Sequence, residues 1–401
     1  MKSTLLGAAS LTLCLCSAAQ AEGWHYNGFI NQTLINTSNN FMFGKTDDAV
    51  SLDYRELALI VNGTLLPQVD FSSQLLSRKA GTADDGSPRV DYAFLSWRFH
   101  EDFSTSHGFR LGRLKAPIGF YNDSRDSPFT RNGIFLPQSI YLDRARNYIM
   151  RADELMYLGE WRNDQWTLNW KIAGGYNIPD GDEITDMFNV PERANPSFEH
   201  ARSWHFQVMA DYDAGRIRFG YSEYDSPNHY QITILSPPIG EVKSNAGSRW
   251  RVLSFEYNDV LWGVTAEYER ATFTFNGVSP NPFDPGYRDY PEGGYLQFNW
   301  NLSAKQSLFF RKDFLYFNRN DKNGEVYSQL MLPKFSGTIP IDRFGRANVV
   351  GWSYRPAPEW LIRLDVSKNS GVLMTTQRDA PSGYVAKRDW NMAALAVSWR
   401  F

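Results

Sequence analysis

The densest store of chemically capable side chains lies between Pro117 and Asp153. Arg125, Asp126, Arg131, Asp143, Arg144, Arg146 and Arg151 are spread through this stretch, with Arg113 and Lys115 just before it. Between them stand the apolar Phe129, Ile134, Phe135, Leu136, Ile140 and Tyr141. Guanidinium and carboxylate groups in this mixture make neither a nucleophile nor a metal-ligand set. They make fixed charge. A segment this long without a period of its own is functional or disordered, and the apolar anchors argue against disorder. Held against a wall by those anchors, it would turn Arg and Asp towards water and narrow any path beside it to a charged constriction. The candidate constriction residues are Arg113, Lys115, Arg125, Asp126, Arg131, Asp143, Arg144 and Arg146.

Other chemistry is sparse. The six histidines form no HExxH and no local metal-ligand spacing. His205, between Trp204 and Phe206 on a polar face, is the best candidate base of a membrane-bound hydrolase, and the simpler expectation is a side chain wetted by channel water. The NDKNGE stretch (320–325) hints at a calcium loop, but its first ligand position would be Arg319 and the bidentate Glu is missing, so it is expected to be a turn. The sequence therefore predicts no catalytic residue, no metal and no cofactor.

The elements that must position the charged segment are strands. In the run from Trp166 to Tyr176, Trp166, Leu168, Trp170, Ile172, Gly174 and Tyr176 alternate with Thr167, Asn169, Lys171 and Ala173. Period two means one apolar and one polar face. The pattern recurs along the chain, with short turns near 63–68, 100–107, 162–165, 213–215, 258–261, 302–306 and 355–359 and longer polar links between hairpins. This alternation predicts an all-β fold: a 16-stranded antiparallel transmembrane β-barrel with seven short periplasmic turns and eight long outer loops. Aromatic pairs beside the turns, Trp161 with Trp166, Tyr257 with Trp262 and Tyr354 with Trp360, fit an interfacial girdle. A soluble sandwich would not set Lys171, Asp211, Glu267, Glu269, Asp313, Arg363 and Asp365 opposite a face of large apolar side chains. Those residues and Arg311 are the expected lumen wall.

Residues 1–21 read as a signal peptide, with Lys2, an apolar run from Leu5 to Cys16 and the Ala19-Gln20-Ala21 cleavage site. Residues 22–401 would then form a single barrel without cysteine, since Cys14 and Cys16 lie in the leader. With 401 residues and a net charge of −3 there is no basic face for nucleic acid. The last strand, with Ala393, Leu395, Val397, Trp399 and Phe401 alternating, ends on an aromatic residue. It resembles the C-terminal signal read by the barrel assembly machinery of the outer membrane.

The stretch Gly112 to Tyr121 (GRLKAPIGFY), followed by Phe129-Thr130-Arg131 and Leu136-Pro137-Gln138-Ser139-Ile140-Tyr141, resembles the phosphate-selective porin O and P type and related porins. The resemblance is strong over 108–160 and architectural elsewhere. It implies a 16-stranded, trimeric diffusion channel in the outer membrane of a Gram-negative bacterium, in contact with lipid, lipopolysaccharide and small hydrophilic solutes. The chain departs from that type in having no N-terminal coiled-coil extension and no lysine-rich lumen ladder. Assigning lumen faces by parity gives basic Arg78, Arg98, Arg113, Lys115, Lys171, Arg218, Arg311, Arg363 and Arg400. Against them stand acidic Glu56, Asp70, Glu154, Glu160, Asp211, Glu256, Glu267, Glu269, Asp313 and Asp365. The near balance predicts weak selectivity rather than the single-signed field that a phosphate channel needs. The rival readings are a phosphate-selective porin, an outer-membrane barrel enzyme and a plugged ligand-binding barrel.

Overall fold

The computed structural model describes residues 23–143, 146, 151–177, 197–198, 202–236, 240–276, 287–331, 339–375, 379–381 and 383–401, without the side chains of 197–198, 227–236, 240–246, 275–276, 287 and 330–331. The strands are β1 (Trp24–Ser38), β2 (Ser51–Leu66), β3 (Val69–Ala80), β4 (Asp85–Glu101), β5 (Thr105–Lys115), β6 (Arg151–Arg162), β7 (Trp166–Asn177), β8 (Arg202–Tyr212) and β9 (Ile217–Ser236). They continue as β10 (Gly240–Asn258), β11 (Trp262–Asn276), β12 (Glu292–Ser303), β13 (Gln306–Tyr316), β14 (Phe344–Tyr354), β15 (Trp360–Ser370) and β16 (Asp389–Arg400). Two short pieces, Ser197–Phe198 and Tyr287–Asp289, pair with β9 and β11 and extend β8 and β12. Each strand is antiparallel to its neighbours, and β1 pairs with both β2 and β16.

The sheet therefore closes on itself and leaves no edge. At the seam the Phe401 N–H donates to Gly28 O at 3.1 Å, and the Gly28 N–H donates to Phe401 O at 3.0 Å. Gly28 is required there because a Cβ would lie 2.6 Å from the Phe401 ring and 2.4 Å from Ala58 O. Outward positions such as Leu57, Leu95, Leu111, Leu155, Ile172, Leu253, Leu296, Phe310 and Val350 are exposed. A closed barrel with an apolar outer face is how strands cross a membrane, since every backbone group is paired, and sixteen strands make it the outer-membrane type. Among the described residues no helix is long and apolar enough to cross.

All seven short turns fall where the polar interruptions put them. In the β4–β5 turn Asp102 accepts the Ser104 and Thr105 N–H groups, and these bonds hold its carboxyl well below the usual range. The girdle is present as well, with the Tyr257 and Trp262 rings 4.9 Å apart. The outer connections vary more than the sequence pattern suggests. Only residues 81–84 join β3 to β4 and only 237–239 join β9 to β10, because their strands run on beyond the apolar belt. The 320–325 stretch is a turn, closed by Gly324 N–H to Asp321 O, leading into a helix over Glu325–Met331. Residues 1–22, which include the expected signal peptide, lie outside the described residues.

Candidate functional site

The third outer connection leaves β5 after Lys115 and turns into the barrel. Gly119 makes the entry with φ of 58°, and a Cβ there would lie 2.3 Å from the Tyr141 hydroxyl. A chain inside a barrel has no strand to pair with, so its backbone must find partners on the wall. Charged wall residues provide them. Glu267 accepts the Phe120 N–H at 2.9 Å, Asp365 the Ile134 N–H at 2.7 Å and Asp313 the Gln138 N–H at 3.1 Å. In the opposite sense Arg311 donates to Phe135 O at 3.2 Å and Arg363 to Gly133 O.

The apolar anchors settle on both sides of the barrel. Ala116, Ile118, Leu136, Ile140 and Tyr141 pack with Tyr224, Trp250, Phe273 and Tyr295 of β9–β12. Ile134 and Phe135 pack instead with Ile35, Phe43, Tyr54 and Met392, on the β1–β2 and β16 side. The 3-10 turn Pro128–Thr130 reaches down so that Phe129 lies 4.9 Å from the guanidinium of Arg400 and 5.8 Å from that of Arg355, beside the periplasmic mouth. The segment thus bridges the lumen through much of its depth.

Most of the charges expected to face water are dry. Arg131 pairs with Glu56 at 2.6 Å, while Arg78 reaches Asp143 at 3.0 Å and Asp84 at 3.5 Å, and Arg125 meets Asp143 at 3.4 Å. Burial works against the Arg131 charge, but Glu56, Tyr54 and Asp143 together outweigh it and hold the guanidinium above its ordinary value. A second network joins Lys115 and Arg146 to Asp126 and Asp91. Glu267, Asp313, Arg311, Arg363 and Asp365 are covered by the segment they bind, and Glu269 is buried beside them. Except for Glu269, whose carboxylate oxygens have no partner among the described residues, each of these charges is taken up by backbone or an opposite charge, and so they fasten the segment. Arg144 lies outside the described residues.

Charges that keep contact with water include Arg98 with Asp70 on β4 and β3 and a group on the β5–β10 side. Lys171 pairs with Asp123, and Arg218 pairs with Asp211 at 2.9 Å and Glu256 at 3.1 Å while stacking on Phe120. Arg113 is not in the lumen. On β5 it shares the face of Phe109 and the exposed Leu111, and it pairs at 3.0 Å with Asp153, which shares the face of the exposed Leu155. The even positions of β5 point inward, so Arg110 faces the lumen in its place. Phe109 and Leu111 carry the apolar signal that fixes this parity; the basic Arg113 and Lys115 obscure it. A test follows from the geometry. Lys171→Glu should shift the reversal potential of a channel in a salt gradient towards cations, whereas Arg113→Gln should leave it in place. Equal shifts would contradict this assignment of faces.

His205 is fully buried rather than wetted. Its Nδ1 lies 2.7 Å from Glu154 and its ring stacks on Tyr224 at 4.9 Å. Its Nε2 has no hydrogen-bond partner among the described residues, so no hydroxyl there is placed for attack.

No protein-family model matches the sequence. An uncharacterized protein of Aquifex aeolicus (strain VF5) is 20% identical over 412 residues, spanning 95% of this chain and 80% of that protein. Among solved structures, OprB of Pseudomonas putida superposes with a TM-score of 0.58 at 9% identity, covering 96% of each chain. The fold is that of the outer-membrane porins. An anion-selective porin from Comamonas acidovorans gives 0.55 at 10% identity over 94% and 99% of the two chains. OmpT of Vibrio cholerae in its trimer form gives 0.56 at 11% identity over 94% and 99%. Likeness at this level reaches the porin fold and stops there; the phosphate-selective type is not singled out within it.

Proposed function

We propose that this chain is a passive, weakly selective diffusion channel for small hydrophilic solutes, and not an enzyme. In this reading it is exported by cleavage after Ala21, inserted by the barrel assembly machinery into lipid and lipopolysaccharide, and trimeric as the solved OmpT form is. The observation that carries the proposal is the charge left in contact with water. Lys171 and Arg218 lie beside Asp123 and Asp211, so the two signs face the same strip of lumen and neither dominates. Such a path slows large solutes by its width and sorts small ions poorly. No cofactor has a role in it.

Purified protein in a planar bilayer tests this reading. Ohmic steps are expected, with a reversal potential near zero in a salt gradient and any residual bias fading as salt rises. A strong anion preference, or block of chloride current by submillimolar phosphate, would favour the phosphate-selective porin. Absence of current would favour a plugged barrel, to which the bridging segment lends some weight.

A further inference from the structure

Beneath the charged networks, on the β3–β6 wall, lies a pocket of about 170 Å³ lined by Ser72, Tyr92, Phe94, Arg110, Leu114, Lys115, Asp123 and Met156. Its cations and carboxylates are nearly all engaged: Lys115 by Asp91 and Asp126, and Asp123 by Lys171. Arg110 is the exception. Its guanidinium lies 5.0 Å from the Phe94 ring, it forms no ion pair or hydrogen bond among the described residues, and its Nε is buried without a partner. A guanidinium brings five donors in a planar fork that matches a carboxylate. Leaving the buried Nε–H without an acceptor is costly unless a ligand arrives to take it.

The rest of the lining says what that ligand is. Of the charged residues in the lining, Lys115 is taken by Asp91 and Asp126 and Asp123 by Lys171, which leaves Arg110 as the lining cation without a counter-charge in contact. The Tyr92 and Ser72 hydroxyls stand beside it, while Leu114, Met156 and the Phe94 face give an apolar side. A multiply charged inorganic anion would gain nothing from the apolar side and would be repelled by the half-exposed Asp123. We infer that this pocket is a subsite for small monocarboxylates, with the carboxylate on Arg110 and a short carbon chain against Leu114, Met156 and Phe94. The inference rests on the channel reading, since it names a class of solute that would pause on its way through.

Chloride current through single channels, titrated with acetate, propionate and butyrate and separately with inorganic phosphate, is the test. Block is expected to strengthen from acetate to butyrate and to exceed that by phosphate. Arg110→Gln should weaken the butyrate block about tenfold, the loss of one charge-assisted contact, with Arg110→Lys falling between. Leu114→Ser should flatten the dependence on chain length. Unchanged block in Arg110→Gln, or equal block by phosphate and butyrate, would overturn the subsite. If no current is seen, the channel reading fails, and butyrate binding to the detergent-solubilised protein, followed by calorimetry in wild type and Arg110→Gln, still decides the pocket. Heat-modifiable mobility on gels confirms that each variant is folded.

Discussion

Removing the two carboxylates that hold the arms of the bridging segment, in the double variant Glu267→Ala and Asp365→Ala, should raise single-channel conductance roughly twofold or more and make the open level noisy. Glu267 accepts from the Phe120 N–H at 2.9 Å, the Ser254 hydroxyl at 2.6 Å, the Tyr141 hydroxyl at 2.6 Å and the Tyr295 hydroxyl at 2.8 Å. Truncating it leaves four buried donors without an acceptor, each costing about 1–3 kcal/mol unless water enters. Asp365 holds the other arm through the Ile134 N–H. Water is the cheapest remedy, and admitting it means lifting the segment from β9–β12 on one side and from β15 on the other. The backbone ladders between strands are untouched by either substitution and should persist, so folded protein with a wider, flickering path is the expected result. Glu267→Gln alone should do less, because its amide oxygen still accepts one or two of the four donors. Unchanged conductance in the double variant would mean that the path does not run beside this segment.

The barrel was legible in the sequence because it depends on a period of two repeated sixteen times, and the turns because each interrupts that period with polar residues. What alternation cannot convey is what an inward charge is for. Asp313, Arg363 and Asp365 have the composition of a wetted lumen, yet they sit under a segment whose backbone they satisfy, and Glu56 is buried against the Arg131 that the segment carries. The difference lies in contacts between residues 75 or more positions apart, such as Arg131 with Glu56 and Ile134 with Asp365. Spacing along the chain does not reveal such contacts. The burial of His205 escapes the sequence for the same reason, since its partner Glu154 stands two strands away. On β5 the obstacle is local: Arg113 suggests a polar odd face, whereas Phe109 and Leu111 define a lipid-facing one, and only Lys115, at the strand end, reaches inward to Asp91 and Asp126; the inward cation within the strand is Arg110.

Deleting Phe401 should lower the amount of folded protein in the outer membrane by about tenfold or more, whereas trimming the outer turn at 320–323 should change it little. A barrel is stable in lipid only when its first and last strands meet, because an open edge exposes backbone groups to hydrocarbon. At the closing seam Phe29 lies opposite Arg400, and beyond that pair Phe401 exchanges both backbone hydrogen bonds with Gly28. Its ring packs 5.1 Å from Trp399 and covers the bare face of Gly28. Deletion removes both bonds and the aromatic end of the strand, at the point where the sheet must find its own beginning. The outer turn touches no seam, and its exposed residues tolerate change. Phe401→Ala separates the two contributions: it keeps the backbone pair and loses the ring. Levels as low as in the deletion would assign the effect to the aromatic side chain, and intermediate levels would divide it between ring and backbone. Near-normal levels of the Phe401 deletion, measured by heat-modifiable mobility in outer-membrane fractions, would show that closure does not depend on the terminal residue.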